Sequence, residues 1–200
     1  MVNKVRLLFA LVVLVMTSCS HSLKPVDYVH YVEDSKNGLH PWQEKSLFLF
    51  SLQYKPLDYV ALEELRQQQV TSQQLKQEKK SFGTMQYFTL RISTKDSSND
   101  LLKTGTKTAQ EYSKRQNYFD FIIQNDLKLI EGGDTLPCRL CHFVRNYGLT
   151  PYGDFVLGFE QPKNESDLKF IYNDNILGTG PVTFLIRQSS IDHIPQIKTD

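Results

Sequence analysis

The chain has 200 residues, and its hydrophobic fraction of 40% and aromatic fraction of 12% favour a folded domain over a disordered chain. The 23 basic residues nearly balance the 22 acidic residues, which leaves a net charge of +1. Proteins that bind nucleic acids usually carry a clear basic excess. The balance therefore argues against a nucleic-acid partner.

The first residues have the pattern of an export signal. Lys4 and Arg6 form a positive head, and Leu7 to Met16 is an uninterrupted apolar run of 10 residues. A helix that spans a membrane needs about 20 apolar residues. The run therefore predicts a cleaved signal peptide rather than a permanent transmembrane anchor.

The apolar run ends in Val15-Met16-Thr17-Ser18-Cys19, in which a small residue precedes a cysteine. This segment resembles the lipobox of bacterial lipoprotein precursors, although Met16 stands where leucine is usual. The resemblance covers residues 1–19. It implies cleavage before Cys19, a diacylglycerol on the Cys19 sulfur and usually a third acyl chain, such as palmitate, on the new amine. Two or three chains anchor a protein durably, whereas one chain binds reversibly.

The resemblance also predicts how the chain is divided. Residues 1–18 form the signal peptide, residues 19–26 the lipidated cysteine and its tether, and residues 27–200 a single globular domain of ordinary size. Ser20 to Pro25 is polar, so we expect this segment not to pack on the domain. In similar lipoproteins an aspartate after the cysteine often marks the inner membrane. Ser20 in its place favours the outer membrane.

Apolar and alternating segments predict a β-rich domain. Gly132-Gly133-Asp134 predicts a tight turn between two of the strands. The predicted strands are Leu47–Tyr54 with an extension over Leu57–Leu62, Gln86–Ser93, Leu127–Glu131, Leu136–Arg145, Phe155–Glu160, Leu168–Tyr172 and Val182–Arg187.

Two helices interrupt the predicted strands. Glu63–Lys80 is rich in good helix formers and predicts a surface helix. Thr106–Gln124 has helical periodicity, with Lys114 and Arg115 outside its apolar face. That face contains Ala109, Tyr112, Phe119, Ile122 and Ile123. The whole pattern predicts an α+β fold that is mostly antiparallel β and sandwich-like, with two inserted helices.

Cys138-Arg139-Leu140-Cys141-His142 matches C-x-x-C-H, the attachment pattern of c-type haem. In that chemistry the two thiols bond to the haem vinyl groups and the histidine ligates the iron. In small c-type cytochromes the pattern lies on a helix, and a methionine ligand follows it. Here the last methionine is Met85, and the flanking segments are predicted strands. We therefore expect a strand and no cofactor, with covalent haem c on Cys138, Cys141 and His142 as the alternative.

Alternation along such a strand places Cys138 and His142 on one face and Cys141 and Phe143 on the other. The two cysteines are then either buried thiols or, if Pro137 promotes a local turn, a disulfide suited to an oxidising envelope. The remaining histidines supply no recognisable second pair of zinc ligands, so we expect no metal site.

The sequence contains no recognised catalytic signature, such as G-x-S-x-G, H-E-x-x-H or a phosphate-binding loop. The expected function is a membrane-anchored envelope lipoprotein, acting as a non-catalytic binding or assembly module. Its expected partners are the lipid bilayer, through acylated Cys19, and an envelope protein. The alternatives are a membrane-tethered monohaem cytochrome and an enzyme with a dispersed catalytic site.

Overall fold

A computed structural model describes residues 22–66, 69–96, 100–145, 149–161 and 165–199. The predicted signal peptide and Cys19 lie outside the described residues, so the resemblance to a lipobox stays a prediction. The described residues form an α+β fold whose strands are mostly antiparallel. This confirms the predicted fold class.

The elements alternate irregularly along the chain. The strands are β1 (Ser22–Leu23), β2 (Trp42–Lys45), β3 (Phe48–Lys55), β4 (Met85–Thr94), β5 (Leu127–Glu131), β6 (Asp134–Pro137), β7 (Leu140–Val144), β8 (Tyr152–Glu160), β9 (Leu168–Tyr172), β10 (Val182–Ile186) and β11 (Gln196–Ile197). The α-helices are α1 (Pro25–Glu33), α2 (Leu57–Leu65), α3 (Ser72–Ser81), α4 (Ala109–Phe121) and α5 (Gln188–Asp192). Short 3₁₀ turns cover Ser35–Asn37 and Ile123–Asp126.

Two antiparallel sheets form the body of the domain. One has five strands in the order β2-β3-β4-β8-β7, and the other has four in the order β10-β9-β5-β6. A separate parallel pair joins β1 to β11. Side chains from β2 tie the two larger sheets together, since Gln43 donates a hydrogen bond to the Thr183 carbonyl of β10 at 2.8 Å.

Aromatic side chains fill the space between the two larger sheets. Phe170 on β9 lies 6.5 Å from Phe88 on β4 and 6.2 Å from Phe159 on β8, measured between ring centroids. Phe50 on β3 meets Tyr172 on β9 at 6.3 Å. All of these rings are buried. Because the contacts cross from one sheet to the other, the sheets share one core and form a sandwich.

The predicted turn at Gly132-Gly133 is confirmed as the β5–β6 hairpin connection. Both glycines have positive φ, 55° and 99°. A two-residue hairpin turn of the right twist needs positive φ at both central positions, where glycine has no steric penalty.

The helix predictions need correction, because five helices rather than two are present among the described residues. Leu57–Leu62 was predicted as a strand extension but lies in α2, where Tyr59 to Leu62 are buried in succession. Glu63–Lys80 was predicted as one helix, but it contains the end of α2 and all of α3. Arg66 ends α2 in the left-handed region, and Thr71 begins α3 with a capping box.

The inward face of α4 also differs from the prediction. Phe119 and Ile123 are buried as expected, but Ala109 is exposed and Ile122 is 41% exposed. Arg115, expected to face outward, is buried and donates a hydrogen bond to the Leu101 carbonyl at 3.0 Å. The turn that precedes α4 supplies carbonyl oxygens for the guanidinium, which makes the burial of this charged group tolerable.

Phe119→Ala should lower the free energy of unfolding by about 3–5 kcal/mol, because the Phe119 ring is buried against Phe143 and Phe155. The exposed Lys114 on the same helix is the matched control, and Lys114→Ala should cost under about 0.5 kcal/mol. Urea unfolding of both variants measures the difference. Equal losses would show that the face of α4 is assigned wrongly.

The expectation that the segment after Cys19 does not pack is wrong for Ser22 to Pro25. Ser22 and Leu23 pair with Gln196 and Ile197, and Pro25 is buried at the start of α1. The polarity of the side chains does not predict this pairing, because the hydrogen bonds between strands are made by backbone N–H and C=O groups whatever the side chains are. Proline is also well suited to the first turn of a helix.

Deleting Ser22 to Lys24 should lower the melting temperature by a few degrees. The deletion removes the β1–β11 pairing and the 2.7 Å hydrogen bond from the Lys198 amide to the Leu23 carbonyl. Calorimetry of the protein with and without the deletion measures the change. An unchanged melting temperature would mean that the pairing adds nothing to stability.

Candidate functional site

The C-x-x-C-H segment lies at a crossing between the two sheets. Leu136–Arg145 was predicted as one strand, but β6 ends at Pro137 in the four-stranded sheet and β7 begins at Leu140 in the five-stranded sheet. Cys138 and Arg139 form the link. The single-strand prediction is therefore wrong, and one reason is that proline has no N–H to continue a ladder.

The two thiols and the imidazole are separated by this crossing. Cys138 is 6% exposed, and its Sγ donates to the Leu140 carbonyl at 2.9 Å. Cys141 and Phe143 share one face of β7 as predicted, and the structure shows that this face is turned inward, whereas His142 is exposed on the other side. Cys138 does not share a strand with His142, contrary to the prediction. Cys141 and His142 lie on opposite faces of β7, an arrangement that does not favour one haem bonded to both residues.

Cys138 and Cys141 are both free thiols in this structure. Burial raises the pKa of Cys138 to about 11 and the pKa of Cys141 to about 12. The thiolate is the reactive form of cysteine, so both groups should be inert near neutral pH.

Iodoacetamide at pH 8 should modify neither Cys138 nor Cys141 in the folded protein. Both pKa values lie above pH 8, so the thiols stay protonated. The same reagent should modify both in urea, where the pKa values return toward 8.5 or so. Peptide mass mapping reads the two sites separately. If either thiol reacted as fast in buffer as in urea, that thiol would not be buried in the folded protein.

The described residues contain neither a candidate metal site nor a candidate membrane-spanning helix. Among them, no group of three or more histidine, cysteine, aspartate or glutamate side chains is arranged to hold a metal ion. None of the helices in the described ranges is long and apolar enough to cross a membrane.

A groove of about 840 Å³ lies beside α3 and the C-terminal segment of the chain. It combines cationic, hydroxyl-bearing and apolar side chains from four parts of the chain. Its lining residues are Tyr28, Pro56, Asp58, Ser72, Leu75, Lys76, Lys79, Lys80, Gly83, Ile194, Pro195, Gln196, Ile197 and Thr199. We call it the α3 groove.

The α3 groove is cationic. Lys76, Lys79 and Lys80 share one face of α3, because residues three and four apart lie together on a helix. Lys79 Nζ lies 2.6 Å from Asp58 Oδ1 and forms an ion pair with it. The geometry of this contact is not that of a hydrogen bond. Three lysines and one aspartate give the described lining a net charge of +2. The exposed Lys76 and Lys80 form no ion pair with another described residue.

Tyr28, which lines the α3 groove, has an unpaired hydroxyl. The residue is fully buried on α1, and its hydroxyl has no hydrogen-bond partner among the described residues. Burial, with the nearby Asp58 carboxylate, raises the pKa of Tyr28, so the group remains a donor. A buried polar group without a partner costs about 1–3 kcal/mol. Such a cost is expected where a ligand completes the hydrogen bond.

A second cleft lies over the outer face of the five-stranded sheet, but its charged groups bind one another. Arg91 contacts Asp154 at 2.7 Å, and Lys55 contacts Glu63 at 2.8 Å. The Tyr59 hydroxyl donates to Glu33 at 2.8 Å. Among the described residues, Thr89 in this cleft also has an unpaired buried hydroxyl, but the charged groups just named have partners whereas Lys76 and Lys80 do not, so the α3 groove is the better candidate for binding an anion.

No local pattern in the sequence predicts the α3 groove. The surface helix predicted over Glu63–Lys80 includes the lysines, but nothing in that segment links them to Tyr28 or Ile194. The tertiary fold alone brings these distant segments together.

Neither a protein-family model nor a curated protein matches the chain. A solved structure, that of a DUF4426 family protein from Pseudomonas aeruginosa, is similar with a TM-score of 0.36 and 9% identity. The match covers 74% of this chain and 90% of that chain. This likeness is too distant to assign a function.

Proposed function

We propose that the protein is a lipid-anchored lipoprotein of a bacterial envelope, preferentially of the outer membrane, whose folded domain is a non-catalytic binding module. The observation that carries the proposal is the lipobox-like segment Val15–Cys19, which follows a signal-peptide pattern. The α3 groove supplies the binding surface.

The spacing between the anchor and the domain supports a position close to the bilayer. Ser22 belongs to β1 and follows Cys19 by three residues, which reach about 11 Å at most. Gln196 and Ile197 pair with β1 and also line the α3 groove. An acylated Cys19 would therefore hold the groove near the lipid headgroups.

The chemistry of the groove supports binding rather than proton transfer. Among the described residues that line the groove, Asp58 is the carboxylate that could accept a proton. It forms an ion pair with Lys79 instead. Lys76 and Lys80 are point charges beside the apolar side chains of Ile194 and Ile197. Such a mixture of cations and apolar surface suits an amphiphilic ligand.

Cys19→Ala should abolish acylation, because the sulfur that accepts the diacylglycerol is removed. Growth with a radiolabelled fatty acid, followed by electrophoresis of the purified chain, measures this. Cys141→Ala is the matched control, since it removes a cysteine from within the folded domain and should leave the label in place. Label persisting in Cys19→Ala would place the anchor elsewhere and overturn the proposal.

A further inference from the structure

We propose that the α3 groove binds the phosphate of an anionic phospholipid headgroup. The inference rests on the proposed function, since the anchor at Cys19 is what brings the groove to the bilayer. It names the ligand class of that binding module and the residues that select it.

Charge complementarity indicates an anion. Lys76 and Lys80 carry charges that other described residues do not neutralise, while Asp58 is compensated by Lys79. The local charge of +2 contrasts with a whole chain that carries only +1. A cluster of lysines next to a membrane is attracted to anionic lipids.

The Tyr28 hydroxyl indicates a hydrogen-bond acceptor in the ligand. Tyr28 lines the groove, and its hydroxyl is buried near Asp58, which also lines the groove, with no hydrogen-bond partner among the described residues. A phosphate oxygen would fill that role with a charge-assisted hydrogen bond. Ser72 and Thr199 line the same groove but hydrogen-bond to each other, so their hydroxyls already have a partner.

The apolar part of the lining favours a lipid over a free phosphate. Leu75, Ile194, Pro195 and Ile197 lie in the same groove as the lysines. Inorganic phosphate makes no use of that surface, whereas the glycerol backbone and first methylenes of a phospholipid do. The groove runs along α3, a helix of 10 residues and thus about 15 Å long, which gives room for a headgroup.

Native mass spectrometry of the full mature chain in dodecyl maltoside tests the proposal. The probes are dioleoyl phosphatidylglycerol, dioleoyl phosphatidylcholine and inorganic phosphate, each titrated separately. We expect the anionic lipid to bind more tightly than the other two. Equal binding of the two lipids would overturn anion selection, and equal binding of inorganic phosphate would overturn the lipid assignment.

Lys76→Gln with Lys80→Gln should weaken phosphatidylglycerol binding about tenfold or more, because two charges near the headgroup are lost. Lys128→Gln with Lys169→Gln is the matched control, since these exposed lysines lie on the four-stranded sheet outside the groove. Equal weakening by the two pairs would mean that binding follows overall charge and would overturn the site.

Tyr28→Phe separates a ligand contact from a structural role. Removing an unpaired buried hydroxyl should raise the melting temperature of the free protein and yet weaken lipid binding about tenfold. Tyr59→Phe is the control, because its hydroxyl already bonds to Glu33; it should lower the melting temperature and leave binding unchanged. A Tyr28→Phe protein that binds as tightly as the original would refute the role of Tyr28.

Failure of this inference is distinguishable from failure of the proposed function. Fatty-acid labelling of Cys19 tests the anchor. The lipid titration tests the groove, and it can be made on the chain with or without acylation. A protein that is labelled by the fatty acid but does not bind phosphatidylglycerol would overturn the ligand assigned to the groove and leave the anchor in place.

Discussion

The packing of Phe170 against rings of the opposite sheet is the contact on which the rest of the fold depends. Phe88 and Phe159 meet it from the five-stranded sheet, and Phe184 meets it from its own sheet. Buried aromatic rings contribute both apolar area and favourable edge contacts. This core joins the two sheets, and the chain crosses from one sheet to the other after Pro137. Cys138 lies at that crossing and is buried there.

The α3 groove lies at the edge of the core, where helices and the C-terminal segment meet, and its lining residues Tyr28 and Leu75 belong to the core as well. Binding residues on the periphery of a rigid scaffold vary without disturbing its packing. The β1–β11 pair has a double role, since it fastens the chain after the predicted anchor and contributes Gln196 and Ile197 to the groove. The proposed anchor and the proposed ligand site are thus joined by one short piece of sheet.

Alternation of apolar residues was enough to predict most strands of the sandwich, but it predicted neither β2 nor the division of Leu136–Arg145 into β6 and β7. Leu168–Tyr172 and Leu127–Glu131 agree with the structure residue for residue, because each has one buried face. Leu57–Leu62 was predicted wrongly, since a short apolar run fits a buried helix as well as a strand. The change of sheet after Pro137 and the α3 groove depend on contacts between distant segments, which no local pattern contains.

Photocrosslinking in intact bacterial membranes tests the central claim most directly. A photoreactive amino acid at Gln196 lies in the α3 groove, whereas one at the exposed Asp134 lies at the β5–β6 hairpin. We expect irradiation to join phospholipid to the protein from position 196 and not from position 134. Crosslinking to phospholipid from both positions alike, or from neither, would contradict it.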